Sequence, residues 1–402
     1  RAIGFSMLRN FLVIFYVAWK TFFHSVEKPV FAVDGQRREV SNPGVDDFLP
    51  MARQAFRALH GLPDAAGAVL APEARERLFP WARRHRLLGL LQAGLPDPGA
   101  ALRTAAYGQA RHAARHAHEA VRLFARLAPR LRTLALVKGP ALAAQAWPEP
   151  GLRSFDDLDF VCAGRDYPAF AAGMEEAGYA PEIADPWRRA HLWHYGWGVA
   201  FRHPEGFTVE VKRRFFPPQY PWPRPGNRRW RDSFATLELE GGEIRAPTPA
   251  LHLLLGCLHA VWHGWERIAW LVDVAGLLAR HPGIVPEARA LAKKCPFAEN
   301  ALAAGGAVAD AIFGPGLGPD AAPPDVVAEA VARLRGNARA MDGGELRRFH
   351  ETFMARPEIL FYRLRRILTP GDGDFRGVAL PPALRGLYWL VRPVRGALYR
   401  QP

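Results

Sequence analysis

The chain has 402 residues, 49% apolar and 23% charged, a soluble balance on a length that suggests two or three domains. Its formal net charge of +14 favours anionic partners (nucleotides, nucleic acid, anionic lipid or acidic proteins) without choosing among them. Three well-separated cysteines, Cys162, Cys257 and Cys295, fit neither a disulfide framework nor a zinc spacing and are expected to pack as small hydrophobes.

Residues 1–50 differ in composition from the next fifty, with three alanines against eleven in residues 51–100. Their apolar run Phe11–Trp19 ends at Lys20, short of the roughly 20 residues that span a bilayer, and no small-residue cleavage site comes after it. The segment is expected to be disordered or foreign to the native protein, with Met51 opening the protein proper; an N-terminal anchor is the alternative. Residues 51–130 have helical spacing in Pro72–Phe79 and across 104–128. His112, His116 and His118 are expected on solvated faces of that second helix.

At Leu134 the period changes. Leu134–Val137 reads as a strand, Ala141–Trp147 as a short helix behind Pro140, Leu158–Val161 as a second strand and Tyr167–Gly178 as a helix ending on glycine. Phe207–Val211 alternates as a third strand, and the Pro- and Arg-rich stretch Phe215–Arg229 reads as a loop. These segments make a small α/β core over 131–245. After Pro247 the chain is helical again: Leu251–Arg280 is expected to be one amphipathic stretch, and 246–402 a helical C-terminal domain. The fold class expected is therefore α+β, a small mixed sheet flanked by helical regions on both sides.

The chemistry concentrates in Arg153–Val161, with the sequence RSFDDLDFV. Asp157 and Asp159 are two apart at the start of a strand, so their side chains share a face. Carboxylates held side by side repel each other, which a cation relieves, and a hard ion such as Mg²⁺ prefers oxygen ligands. A solvated acidic turn remains the alternative, because Asp-x-Asp alone is a weak signal. Upstream, Lys138-Gly139 ends a strand and opens a helix, a place where a backbone approaches a phosphate closely. Downstream, Glu210 shares a strand face with Thr208 and Lys212 and is the third candidate acid; its bland alternative is a surface glutamate paired with Lys212 or Arg213. The His259–His263 spacing of four is that of a zinc helix, but no general-base glutamate lies between them, so packing among Trp262, Trp265 and Trp270 is expected. Asp273 is a candidate to pair with Arg267 or a substrate, with a capped or paired helix acid as the alternative, and Gly371–Asp374 is expected to be a turn. Five serines and no G-x-S-x-G sequence argue against a serine hydrolase.

The order of strand, small turn, helix, Asp-x-Asp strand and a further acidic strand resembles the polymerase-β-like nucleotidyltransferase core. Within that superfamily the chain is similar to the family of uncharacterised, or putative, nucleotidyltransferases. The residues concerned are Val137–Leu142 (VKGPAL), Gly151–Val161 and Gly178-Tyr179. Leu258–His263, Trp270–Asp273, Leu368–Pro370 with Asp374, Leu387-Tyr388 and Arg392-Pro393 extend the likeness over most of 51–400. The resemblance implies Asp157 and Asp159, with Glu210, as catalytic metal ligands for Mg²⁺ or Mn²⁺. It implies Lys138, Gly139, Arg153 and Ser154 beside the nucleotide. Two departures stand out. The first turn is Lys-Gly where the superfamily has Gly-Ser, and Glu210 is followed by Val211, Lys212 and Arg213 where the family has a His-Trp pair.

The expected function is metal-dependent transfer of a nucleoside monophosphate from an NTP, ATP among them, to an unknown acceptor: a protein, a metabolite or an RNA end. An inactive nucleotide-binding scaffold of the same fold and a nucleic-acid-binding protein are the alternatives. A cytoplasmic protein without stable membrane association is expected; the sequence leaves the oligomeric state open.

Overall fold

The computed structural model describes residues 48–63, 72–221, 232–314, 316–318, 322–335 and 341–398. The expectations for residues 1–47, and for most of the Pro- and Arg-rich loop, fall outside these residues.

A five-stranded mixed sheet lies at the centre. Its strands are β1 (Ala135–Leu136), β2 (Leu158–Val161), β3 (Ala180–Pro181), β4 (Gly198–Arg202) and β5 (Thr208–Lys212), in the order β1-β2-β5-β4-β3. β2 and β5 run parallel, while the other neighbours are antiparallel. A parallel pair needs a crossover. Helix Tyr167–Glu176, β3, helix Pro186–Tyr195 and β4 supply it. β6 (Phe234–Leu239) and β7 (Gly242–Pro247) form a separate hairpin. Its turn residues Glu240 and Gly241 have φ of 47° and 77°, the doubly left-handed turn that matches strand twist.

Two buried cores flank this frame. In the sheet core, Leu158, Phe160, Val209, Val211 and Phe201 pack on Ala117, Ala120, Leu123 and Leu127 of the long helix Ala100–Leu127. The larger core draws on both ends of the chain: Phe48, Phe56, Trp81 and Leu91 join Leu254, Trp265, Phe297 and Phe313. The N-terminal and C-terminal helical regions thus bury one joint apolar interior around the α/β unit. All three cysteines are buried and unpaired. No helix of the described residues is long and apolar enough to cross a membrane.

Three local expectations are corrected. His112 and His118 are exposed, but His116 is only 3% exposed. It lies one turn from Ala113 and Ala120 on the inward face, its ring edge-on to Phe207 at 5.0 Å. Leu251–Arg280 is two helices, Pro249–Trp262 and Ile268–Arg280. Gly264 and Trp265 break it, with φ of 60° and 59°, because the fully buried Trp265 ring must turn inward there. Gly371–Asp374 begins a short helix, Asp372–Gly377, where Asp374 accepts a hydrogen bond from the Gly371 N–H at 2.8 Å.

Candidate active site

Asp159 lies within β2, and Asp157 immediately precedes that strand. All four β2 residues are buried, so Leu158 and Phe160 pin it to the core while Asp159 takes the opposite face. β5 alternates likewise, with Val209 and Val211 inward. The parallel register sets Asp159 opposite Glu210 and Val161 opposite Lys212. Glu210 and Lys212 therefore rise on the face of Asp159. Carboxylate oxygens of Asp157, Asp159 and Glu210 lie within 4.8 Å of one another. The acids have very different surroundings: the Asp159 side chain is 6% exposed and that of Glu210 37%.

Two lysines face the acids. The Lys212 ammonium donates to Asp159 Oδ1 and lies 3.0 Å from Glu210 Oε2. Lys138 Nζ is 4.0 Å from Asp159 Oδ2 and 3.3 Å from His259 Nδ1. Burial alone would raise the Asp159 carboxyl, but Lys212 and Lys138 outweigh it and hold the group below the usual carboxylate range. Burial, and then repulsion from Asp159, pushes Asp157 up to about 6. Burial draws the Lys138 ammonium down to about 8 against the pull of Asp159. His259 is held neutral by burial and by Lys138.

Lys138 caps helix Gly139–Ala146, and Gly139 follows with φ 52°. The left-handed turn explains glycine here: a Cβ would also sit 3.4 Å from the Asp157 carbonyl oxygen. The loop is tied to the acidic strand through the Val137 N–H, which donates to Asp159 O at 2.8 Å. Arg153 is engaged elsewhere. Its Nε and Nη2 donate to the two Asp273 oxygens at 2.8 and 2.9 Å, and its Nη1 reaches Gly139 O at 3.4 Å. Trp147 Nε1 donates to the same Asp273 at 2.8 Å. Asp273 is thus a paired helix acid, with Arg153 and not Arg267 as its partner. Ser154 is partly buried in the turn before the acidic pair.

Sequence reading missed four features of this site. Lys212 was legible as a face-mate of Glu210, but its 9% exposure was not. Trp197, whose ring lies 5.0 Å from Lys212 Nζ, precedes the short strand Gly198–Arg202, which the sequence reading did not single out. His259 does pack on Trp270 at 5.1 Å, and it also meets Lys138, a contact across 121 residues. A cavity of about 740 Å³ is lined by Arg83, Arg84, Arg86 and Arg267, with Phe79 and Glu266. Arg86 donates to Asp156, the neighbour of Asp157. The Arg267 guanidinium sits 5.8 Å from the centre of the Trp270 ring.

A solved structure of an antigenic nucleotidyltransferase-like protein from Paracoccidioides brasiliensis is 16% identical over 46% of this chain and 92% of that one, with a TM-score of 0.28; likeness at that level is too slight to bear on function. No curated protein matches the chain. The model of the uncharacterised nucleotidyltransferase family matches residues 72–314, more than half of the chain, including both acidic strands, the Lys138-Gly139 turn and helix Pro249–Trp262. The chain therefore belongs to the uncharacterised nucleotidyltransferase family.

Proposed function

We propose that the protein transfers a nucleoside monophosphate from an NTP to an anionic acceptor, using a divalent ion held by Asp157, Asp159 and Glu210. The observation that carries this reading is the register of β2 on β5, which brings three carboxylates within 4.8 Å. Such a donor set suits a hard divalent ion, Mg²⁺ or Mn²⁺. Asp157 fits best as the principal ligand, because its carboxylate is the one that burial and Asp159 most disfavour. When bound, the ion would neutralise charge on the transferred phosphoryl group and on the leaving pyrophosphate.

The residues around it divide the remaining tasks. The Lys138 ammonium, and the N-terminus of helix Gly139–Ala146 behind it, hold the phosphates as fixed positive ends. Gly139 lets that backbone come close. Arg153 fixes the position of the Gly139 carbonyl and so the shape of the turn; it acts through Gly139 and Asp273. Glu210, with its side chain 37% exposed, faces the side from which an acceptor hydroxyl arrives and takes its proton. The four arginines that line the cavity select an acceptor that carries phosphate or carboxylate.

The test is incubation of the full chain with Mg²⁺, each α-labelled NTP in turn and a cell extract, following the label. Transfer to an acceptor, lost in Asp159→Asn, is the expected result. One observation favours a second reading: Lys212 already pairs with two of the three acids, as it would in a nucleotide-binding scaffold without turnover. An NTP that raises the melting temperature while no pyrophosphate appears would decide for the scaffold.

A further inference from the structure

We infer that Lys212 serves as a built-in cation at the acidic centre, so that the site takes a single divalent ion rather than the pair that bridges two-metal phosphoryl-transfer sites. The inference rests on the metal-dependent reading above.

Three observations carry it. First, the ammonium lies between two acids on neighbouring parallel strands, donating to Asp159 Oδ1 and lying 3.0 Å from Glu210 Oε2. Each of those carboxylates therefore has one oxygen committed to a cation supplied by the chain. The oxygens left over are Glu210 Oε1, both of Asp157, and Asp159 Oδ2, which faces Lys138 Nζ only at 4.0 Å, a set for one further cation. Second, the lysine's place is built. Its Nζ lies 5.0 Å from the centre of the Trp197 ring, a cation–π contact. Across the β4–β5 register Gly198 is its partner, and a Cβ there would come within 3.1 Å of Lys212 Cγ and 2.6 Å of Val211 O. Glycine thus clears the channel along which the side chain reaches the acids. Third, the charges favour one ion. Three carboxylates facing two ammonium groups leave a net −1; one divalent ion brings the cluster to +1, ready for a triphosphate, whereas two would bring it to +3 and crowd four cationic centres together.

Mn²⁺ counts the positions directly. Two Mn²⁺ ions in a paired site lie roughly 3.5–4 Å apart, close enough for their electron spins to couple. The full chain, given excess Mn²⁺ and one equivalent of inorganic tripolyphosphate, should show one tightly bound, uncoupled Mn²⁺ in its electron paramagnetic resonance spectrum. Lys212→Met, similar in length and uncharged, should bind two and show the coupled signal. A coupled pair in the unaltered chain overturns the inference while leaving metal dependence intact. So does a single uncoupled ion in Lys212→Met, folding being checked by circular dichroism. No bound Mn²⁺ in either protein overturns the metal-dependent reading together with it. The unaltered chain is decisive even where the variant fails to fold.

Discussion

Neighbouring carboxylates can have opposite effects on stability, and Asp157 and Asp159 illustrate why. Asp159 is 4% exposed and faces two lysines, whereas Asp157 is disfavoured by burial and by Asp159. Asp157→Asn should therefore raise the melting temperature of the metal-free protein at pH 8. Asp159→Asn should lower it: breaking a buried pair costs about 3–5 kcal/mol, moderated here because Lys212 keeps Glu210. Both variants should lose transfer. Calorimetry in EDTA reads the two shifts, and a common direction would show that the acids are not differently paired. The Arg153–Asp273 pair invites a similar comparison, since its side chains are 11% and 5% exposed. Arg153→Met alone should destabilise by several kcal/mol, leaving Asp273 with Trp147 as partner. The double variant Arg153→Met with Asp273→Leu should regain much of that loss. Nucleotide affinity should stay low in the double variant, because the contact to the Gly139 carbonyl is still missing; if affinity returns with stability, Arg153 does not position the turn.

Helix Leu49–Leu59 begins upstream of Met51, the residue at which the composition changes. Phe48 and Leu49 are 6% and 5% exposed, and the Phe48 ring lies 5.5 Å from that of Trp81. Burying one such side chain contributes about 1.5–3 kcal/mol. A chain starting at Phe48 should therefore be more stable than one starting at Ala52 by about 3–6 kcal/mol. Urea denaturation of the two truncations measures the gap, and equal midpoints would refute it. The same helix is met by helix Leu88–Gly94 at very close range: a Cβ on Gly94 would lie 2.4 Å from the Ala55 Cα. Backbone against backbone leaves nothing to move aside, so Gly94→Ala should destabilise by at least about 1–3 kcal/mol, the usual cost of overpacking, as read by the melting temperature.

Over the whole molecule, buried neutral histidines shape the response to acid. Burial holds His85 and His350 at about 4 and His252 at about 3. Each side chain is no more than 2% exposed. A histidine with a depressed folded value binds fewer protons in the fold than in the open chain. The stability this represents is complete above the unfolded value of about 6.5 and is lost as pH falls toward 4. Asp157 and Glu358 act in the opposite sense, because burial raises their carboxyls; Asp157, at about 6, offsets part of one histidine's loss within the same range. Between pH 6.5 and 5.5 the histidines should dominate, removing about 1 kcal/mol per pH unit each. Urea midpoints across that interval test this: a constant or rising midpoint would show that the rings are solvated.

The sequence by itself determined the local frame of the site. Leu158–Val161 has to be a strand with both acids on one face, because its apolar residues recur at period two, and the Lys138-Gly139-Pro140 turn is written in the residues that tolerate it. Alternation in Thr208–Lys212 likewise put Glu210 and Lys212 on a common face. These are short-range consequences of backbone geometry, so a few residues suffice to state them. The tertiary structure decided what each face meets. The β2–β5 register sets Asp159 opposite Glu210, and no local pattern encodes the alignment of strands some fifty residues apart. Lys212 becomes a buried partner of two acids only because Trp197 and Gly198 of another strand enclose it. His259 reaches Lys138, and Asp273 reaches Arg153, because the C-terminal helices close the core begun at the other end of the chain. Hydrophobic burial brings those helices together, and it is non-directional: the sequence shows which faces are apolar, but only the folded packing decides which polar residues arrive side by side.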